Sequence, residues 1–277
     1  LRFTIRELAV TESTNDDAAK LLGDPAAAGS VLVTNYQRAG RGRRSRAWIA
    51  PPGCSLLFTA ILPEPIATAA LWTVPFWTAL GVANGIEDAC GLRLGLQWPN
   101  DLLLGGRKCA GILGVSRVAG DRTWVGCGVG INVHRPQTED PELAAIVPPP
   151  AFLADMIVAD AVAAPERETV VRGTRDATAM LATRKNAVPL RRDMLVAILD
   201  RFEATLHDFD DPLAIARAWE TRAKLADTRY RLAIDGEPVP LVATALRLAD
   251  GGALVVREHA GAAERRIALA DARVLRG

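Results

Sequence analysis

Twenty-two consecutive residues, 65–86, carry no charge. A run of that length belongs either in a bilayer or deep inside a protein, with apolar layers on two sides. Its chemistry favours the interior. Pro75, Asn84, three threonines and many alanines hold its hydrophobicity below that of a spanning helix. Leu71, Val74, Thr78 and Val82 fall near helical spacing, and Gly91 stands where a helix C-cap would follow Cys90. A buried helix is therefore expected, and no membrane partner.

The rest of the chain alternates strand-like and helix-like runs. Ser13 or Thr14 can cap a helix over 15–22. Residues 30–36, 55–62 and 92–98 read as strands, and 108–118 with 123–133 as a hairpin. Residues 136–174 are rich in Pro, Ala and Glu and contain Pro148-Pro149-Pro150, so they read as an insertion or long loop with one helix over 151–164. Residues 189–226 return to helix, with Met194, Ile198, Phe202 and Leu206 as an apolar stripe. From 228 onward four short strands, at 229–234, 241–249, 253–257 and 265–269, are separated by turns such as Asp235-Gly236 and Asp250-Gly251-Gly252. The expected fold class is α/β (α+β). A mixed sheet with flanking helices would occupy 1–226, interrupted at about 136–174, and a small β-barrel would occupy 228–277.

Composition narrows the function. The chain has 277 residues, 49% of them apolar, enough for a full core without disulfides or metals. A formal net charge of +1 gives no bulk attraction to nucleic acid. Cys54, Cys90, Cys109 and Cys127 form no Cys-x-x-Cys, and no histidine stands near them at zinc spacing. They are expected to be reduced thiols in a cytoplasmic protein, and no signal-peptide pattern opens the sequence.

Against that neutral background four local features stand out. Gly40-Arg41-Gly42-Arg43-Arg44-Ser45-Arg46 puts most of the five arginines of 38–46 in one loop, while no acid occurs from Pro25 to Pro63. Its guanidiniums suit phosphate or carboxylate, and its glycines let backbone approach a ligand. The alternatives are a solvated basic loop or an RNA-binding segment, for which the lone flanking Trp48 makes a poor stacking platform. Gln97-Trp98-Pro99-Asn100-Asp101 ends a strand and presents a carboxamide and a carboxylate, the latter suited to magnesium. Lys108 is one of only four lysines among 33 basic residues, so a compact ammonium is needed there more than a planar fork. Gly126-Cys127-Gly128-Val129-Gly130-Ile131-Asn132 leaves one strand face bare, where a flat ligand could lie.

Read in order, Ser13-Thr14-Asn15, Gln37 with the arginine–glycine loop and Trp48, Trp-Pro-Asn-Asp, Arg-Lys-x-Ala-Gly-Ile-Leu and Gly-x-Gly-Ile-Asn make the chain resemble biotin protein ligases over about 1–134 and again over about 177–277. The resemblance implies an ATP-dependent enzyme that makes biotinyl-5′-AMP and passes biotin to a lysine of a biotin carboxyl carrier protein. It implies that Ser13, Thr14, Asn15 and Gln37 meet the ureido ring, with the Gly40 amide near its oxygen. Arg41, Gly42 and Arg43 would order the ligand, and Lys108 would lie between the biotin carboxylate and the α-phosphate. Arg46, Trp48, Asn100 and Asn132 would hold the nucleotide, and Asp101 would help magnesium or order the loop. Lys108, Arg43 and Asp101 are thus the expected catalytic group, with ATP and Mg²⁺ required. No nucleic-acid partner is expected, since no helix-turn-helix precedes the catalytic region, and a homodimer is left open. Gln97 stands where the family usually has Lys, and Ser45 where it usually has Gly. These two departures keep a catalytically weak paralogue in view, beside a lipoate or octanoyl ligase.

Overall fold

The computed structural model describes residues 2–157, 191–258 and 263–275. An eight-stranded mixed sheet carries the N-terminal half. Its strands are β1 (Thr4–Leu8), β2 (Ser30–Thr34), β3 (Ser55–Ile61), β4 (Ile66–Ala67), β5 (Gly95–Gln97), β6 (Asp101–Leu104), β7 (Arg107–Ala119) and β8 (Arg122–Asn132). They run in the order β1-β2-β3-β8-β7-β6-β5, with β4 also on β8. Only β1 and β2 pair in parallel, because the helix α1 (Thr14–Leu21) lies between them in the chain.

The sheet has unequal faces. Along β3, Leu56, Phe58 and Ala60 belong to the main core, together with Cys109, Ile112, Cys127, Val129 and Ile131 of β7 and β8. On the opposite face Ile61 joins Ala18, Leu22, Ala27 and Leu32 in a small cluster under α1. Every residue of β3 is buried, so its sequence, Ser-Leu-Leu-Phe-Thr-Ala-Ile, shows no polar alternation.

The uncharged stretch forms the centre of the main core, though not as one helix. Residues Ile66–Ala67 pair as β4, Thr68–Thr73 form a 3₁₀ turn, and α2 (Val74–Cys90) begins one residue before Pro75. Proline fits the first turn of a helix, where its missing N–H would have no partner. Gly91 caps α2 with φ of 74°, as expected. Among the described residues no helix is long and apolar enough to cross a membrane.

A short helix, α3 (Pro141–Ala144), follows β8, capped by the Asp140 side chain on the Leu143 N–H. Residues 153–157 are helical, and the remainder of the expected 151–164 helix lies outside the described residues. The 189–226 run is two helices, α4 (Arg191–Ala204) and α5 (Pro212–Ala223), separated by the 3₁₀ turn Leu206–Asp210. The expected stripe of α4 faces α2: Met194, Ile198 and Phe202 are buried, and Trp77 stacks on Phe202 with ring centroids 4.6 Å apart.

A second, antiparallel sheet of five strands follows: β9 (Arg229–Ile234), β10 (Leu241–Leu248), β11 (Leu254–Glu258), β12 (Glu264–Ile267) and β13 (Ala272–Val274). Its order is β12-β11-β10-β9-β13, an open path with β12 and β13 at its ends. The expected short antiparallel strands are present with one more, β13; their pairing does not close a barrel. Trp98 ties the two sheets together. Its indole N–H donates to the Gly252 carbonyl at 3.0 Å, and the main core continues through Tyr230, Leu232 and Leu254.

Besides β4 and β13, two short strands of the large sheet, β1 and β6, escaped the sequence reading. In β1, Arg6 and Glu7 mask an edge strand; β6 begins immediately after the Trp98-Pro99-Asn100 turn that was expected only to end a strand. The turn is a hairpin, and it places Asp101 inside β6, opposite Gln97.

The α2–α4 packing makes a direct prediction. A Cβ on Gly85 would lie 2.6 Å from the Ile198 Cα, a backbone atom with nowhere to go. Gly85→Ala should therefore lose about 1–3 kcal/mol of stability from overpacking, despite alanine's better helix propensity. Urea denaturation would show a lower midpoint at unchanged slope.

Candidate active site

The cavity lies on the α1 face of the large sheet and measures about 440 Å³. All but two of the site residues expected from the sequence line it; the exceptions are Gly40 and Asp101. Its floor is the bare strip of the sheet. Gly111 of β7 pairs with Gly130 of β8, and Leu113 with Gly128, so these residues and Asn132 share one face.

That strip is covered by the protein's own groups rather than left open for a flat ligand. A Cβ on Gly130 would meet the Trp48 indole at 2.6 Å, and one on Gly128 would meet Asn15 Oδ1 at 2.0 Å. Glycine is required because Trp48 and Asn15 press directly on the backbone. The indole Nε1 of Trp48 is buried there without a hydrogen-bond partner, a donor that a ligand acceptor would satisfy.

At one end, Ser13, Thr14 and Asn15 are buried at the start of α1. Ser13 occupies the N-cap position, but its side chain makes no capping hydrogen bond. The Thr14 N–H and Oγ1 donate to Gln37 Oε1 at 2.8 and 3.0 Å. Asn15 Nδ2 donates to the Leu113 carbonyl at 2.9 Å. Thr59 of β3 underlies this group, 2.9 Å from Thr14 Oγ1 and donating to Asn15 Oδ1 at 2.7 Å. Thr59 is a functional position that the sequence reading missed. Its signal was a hydroxyl in the middle of a fully buried strand. Gly40 lies behind Gln37, where a Cβ would come 2.5 Å from the Trp48 carbonyl oxygen.

At the other end stands Lys108, its ammonium 2.6 Å from the Asp101 carboxylate and 5.3 Å from the Trp48 ring centroid. A β-bulge puts it there. Asp101 pairs with Gly111 and Leu102 with Ala110, and the register then slips so that Leu103 meets Lys108. Without the extra residue, Cys109, the lysine would point into the core with Ala110; with it, the side chain lies beside Gly111. Asn100 grips the same strand, donating from Nδ2 to the Ile112 carbonyl at 2.7 Å and accepting the Ile112 N–H at its own carbonyl.

The arginine loop forms the roof. Its ends are joined by backbone bonds, Gly42 N–H to the Arg46 carbonyl at 2.7 Å and Trp48 N–H to the Gly40 carbonyl at 2.8 Å. Five like charges in one loop repel one another, and no acid within 25–63 offsets them. Instead, Arg38 pairs with Glu12, Arg41 with Asp16 at 2.9 Å, and Arg44 with Asp235, while Arg43 donates to the Leu269 carbonyl. Burial pulls the Arg43 guanidinium below its ordinary value, Asp101 opposes this, and Arg44 and Arg46 add to it.

Two walls were not foreseen. Leu143, Ile146, Val147, Pro148 and Pro150, from the segment read as an insertion, close one side. Arg273, Val274 and Leu275, at the end of β13, close another. Gln97 lies outside the cavity, so the charge lost at that position is not lost from its wall. Asp101 is likewise behind the wall, engaged by Lys108. Among the described residues no three His, Cys, Asp or Glu side chains gather to hold a metal; a magnesium ion carried on nucleotide phosphates calls for only one or two carboxylates.

The family follows from comparison with known proteins. Residues 7–132 match the biotin/lipoate A/B protein ligase family. A biotin–[acetyl-CoA-carboxylase] ligase of Mycobacterium tuberculosis is 30% identical over 237 residues, covering 79% of this chain and 82% of that protein. The chain belongs to this ligase family. The bifunctional ligase/repressor BirA of Bacillus subtilis is 35% identical over 134 residues, 48% of this chain and 41% of that protein, so the match spans less than half of that relative. The biotin protein ligase of Aquifex aeolicus, solved in complex with biotin and ATP, shares the fold across 99% of both chains, with a TM-score of 0.69 at 19% identity.

Thr59→Val keeps the shape of the buried polar group and removes its hydroxyl. Asn15 Oδ1 then loses a buried donor, which should cost about 1–3 kcal/mol of stability. Chemical denaturation of the two proteins measures this difference.

Proposed function

We propose that the protein is an ATP-dependent ligase that activates biotin as biotinyl-5′-AMP and transfers it to a lysine of a biotin carboxyl carrier protein. The observation that carries this reading is Lys108: a partly buried ammonium held by Asp101, in the wall of the one cavity that also takes in the buried polar group of Ser13, Thr14 and Asn15 and the arginine loop. The relatives' names, which include biotin–[acetyl-CoA-carboxylase] ligase, point the same way.

In the first step a biotin carboxylate oxygen attacks the α-phosphorus of ATP, the bond to the bridging oxygen breaks, and pyrophosphate leaves. In the second, the neutral amine of a carrier lysine attacks the anhydride carbonyl, AMP leaves, and the amine loses a proton. Neither step needs a nucleophile from the protein. The demand is to bring two anions together, which calls for fixed positive charge and positioning. Ser13, Thr14, Asn15 and Gln37 would hold the uncharged ring, with the Gly40 amide beside it. Lys108 would bridge carboxylate and α-phosphate. Arg41, Gly42 and Arg43 would close over the ligand. Arg46, Asn100 and Asn132 would take the nucleotide, with Trp48 beside the adenine. Asp101 is the counter-ion that fixes Lys108, and it would help hold a magnesium ion brought with ATP, which would add positive charge beside the phosphates.

We also keep the division near residue 227 as a proposal, a catalytic unit followed by a small C-terminal one. A cytoplasmic setting goes with this reading, supported by four buried cysteines, none of them in a disulfide.

Incubation with ATP, biotin and a biotin carrier domain, read by mass, tests the function. One biotinyl group on the carrier lysine is expected. Preferential transfer of lipoate would assign the protein to the other branch of the family. Absence of both transfer and biotin-dependent ATP–pyrophosphate exchange would make it a binding paralogue. Lys108→Ala should lower exchange by on the order of 100-fold, about 3 kcal/mol of charge stabilisation, with the circular-dichroism spectrum unchanged. Exchange at the unmodified rate would remove Lys108 from the chemistry.

A further inference from the structure

The tightest bend of the arginine loop lies where it meets the second sheet. Arg44 has φ of 59° and Ser45 φ of 57°, two consecutive left-handed residues, neither of them glycine. Such backbone persists only where the surroundings hold it. The bonds at the loop's base, Gly42 to Arg46 and Gly40 to Trp48, close it from within. The bend itself is held from outside. Arg43 donates to the Leu269 carbonyl and Arg44 to the Asp235 carboxylate, both on the C-terminal sheet. Asp235 opens the turn that follows β9, where its own N–H donates to the Asp271 carbonyl at 2.9 Å, so the carboxylate projects from an anchored turn. The Arg44 hydrogen bond, aided by the charges of Arg44 and Arg273, holds the Asp235 carboxyl below its ordinary range.

We infer that Asp235 is a positioning residue for adenylation: from the C-terminal sheet it clasps Arg44 and so holds the arginine loop closed over the cavity. The role in adenylation rests on the function proposed above; the clasp itself does not. It would make the C-terminal sheet part of the active site twice over, as a wall through Arg273 and as an anchor through Asp235. The pair is largely open to water on the aspartate side, with 62% of that side chain exposed, so its effect is modest and salt-sensitive.

Limited trypsin digestion reads the loop directly, because Arg43, Arg44 and Arg46 are cleavage sites and no substrate is needed. Asp235→Asn should be cut in the loop about two- to fivefold faster than the unmodified protein, and Asp235→Glu at close to the unmodified rate. Raising sodium chloride should speed cleavage of the unmodified protein more than that of Asp235→Asn, which keeps the Arg38–Glu12 and Arg41–Asp16 pairs of the loop but not the clasp. In ATP–pyrophosphate exchange, Asp235→Asn should raise KM for ATP by about two- to fivefold while kcat moves less. Equal cleavage of Asp235→Asn and the unmodified protein would overturn the clasp, as would cleavage of Asp235→Glu as fast as that of Asp235→Asn. A normal KM for ATP in a faster-cleaved Asp235→Asn would overturn the positioning role. Absence of biotin-dependent exchange in the unmodified protein would instead overturn the proposed function, and the cleavage rates would still decide the clasp.

Discussion

A lysine ammonium cannot be held half inside a protein without a counter-charge, and the geometry of this site follows from how one is provided. Desolvation of an isolated ammonium costs several kcal/mol, so Asp101 at 2.6 Å is a condition for Lys108 being where it is. Asp101 reaches it only because the β6–β7 pairing slips by one residue. That slip moves Lys108, the one lysine of the cavity wall among the described residues, from the core face to the face of Gly111. Trp48 then lies over Gly111 and Gly130 and near the ammonium, and the loop that carries Trp48 becomes the roof.

The two faces of the large sheet divide the work. One face packs Phe58, Val129 and Ile131 against α2 and α4, a layer dense enough that Gly81 and Gly85 are needed for α4 to approach. The other face has three glycines, a threonine and an asparagine where a core would have Val or Leu. The polar groups there are tied to one another: Gln37 to Thr14, Thr14 to Thr59, Thr59 to Asn15, Asn15 to the β7 backbone. A closed network of this kind keeps the polar pocket rigid before any ligand arrives, which lowers the ordering cost of binding.

Much of this was legible in the sequence because it rests on local pattern. The alternation of Gly126, Gly128 and Gly130 with Cys127, Val129 and Ile131 announced one bare and one packed face. The uncharged stretch announced a central helix, and the arginine loop announced a positively charged wall, which the cavity has. What was not legible depends on contacts distant in the chain. The bulge at Cys109 has no local signature, so nothing in Arg-Lys-x-Ala-Gly told which way Lys108 points. The acids that partner the loop, Asp16 and Asp235, stand outside it in the sequence, so the loop's own residues show the charge and not what neutralises it. The wall from Leu143 to Pro150 looked like a loop because prolines dominate it.

Ser45 shows how a departure from the family pattern becomes readable only on the structure. In the sequence it is a small polar residue in a loop where the family usually has glycine. In the fold it has a left-handed φ, the region where glycine is at ease and a Cβ is strained. The loop therefore carries strain that a glycine would release, and the contacts of its neighbours Arg43 and Arg44 to the C-terminal sheet are what set against it. A chain with glycine at this position would need those anchors less. Asp235 and Ser45, 190 residues apart, are in this sense parts of one device: the strain at one explains why the fold keeps the other.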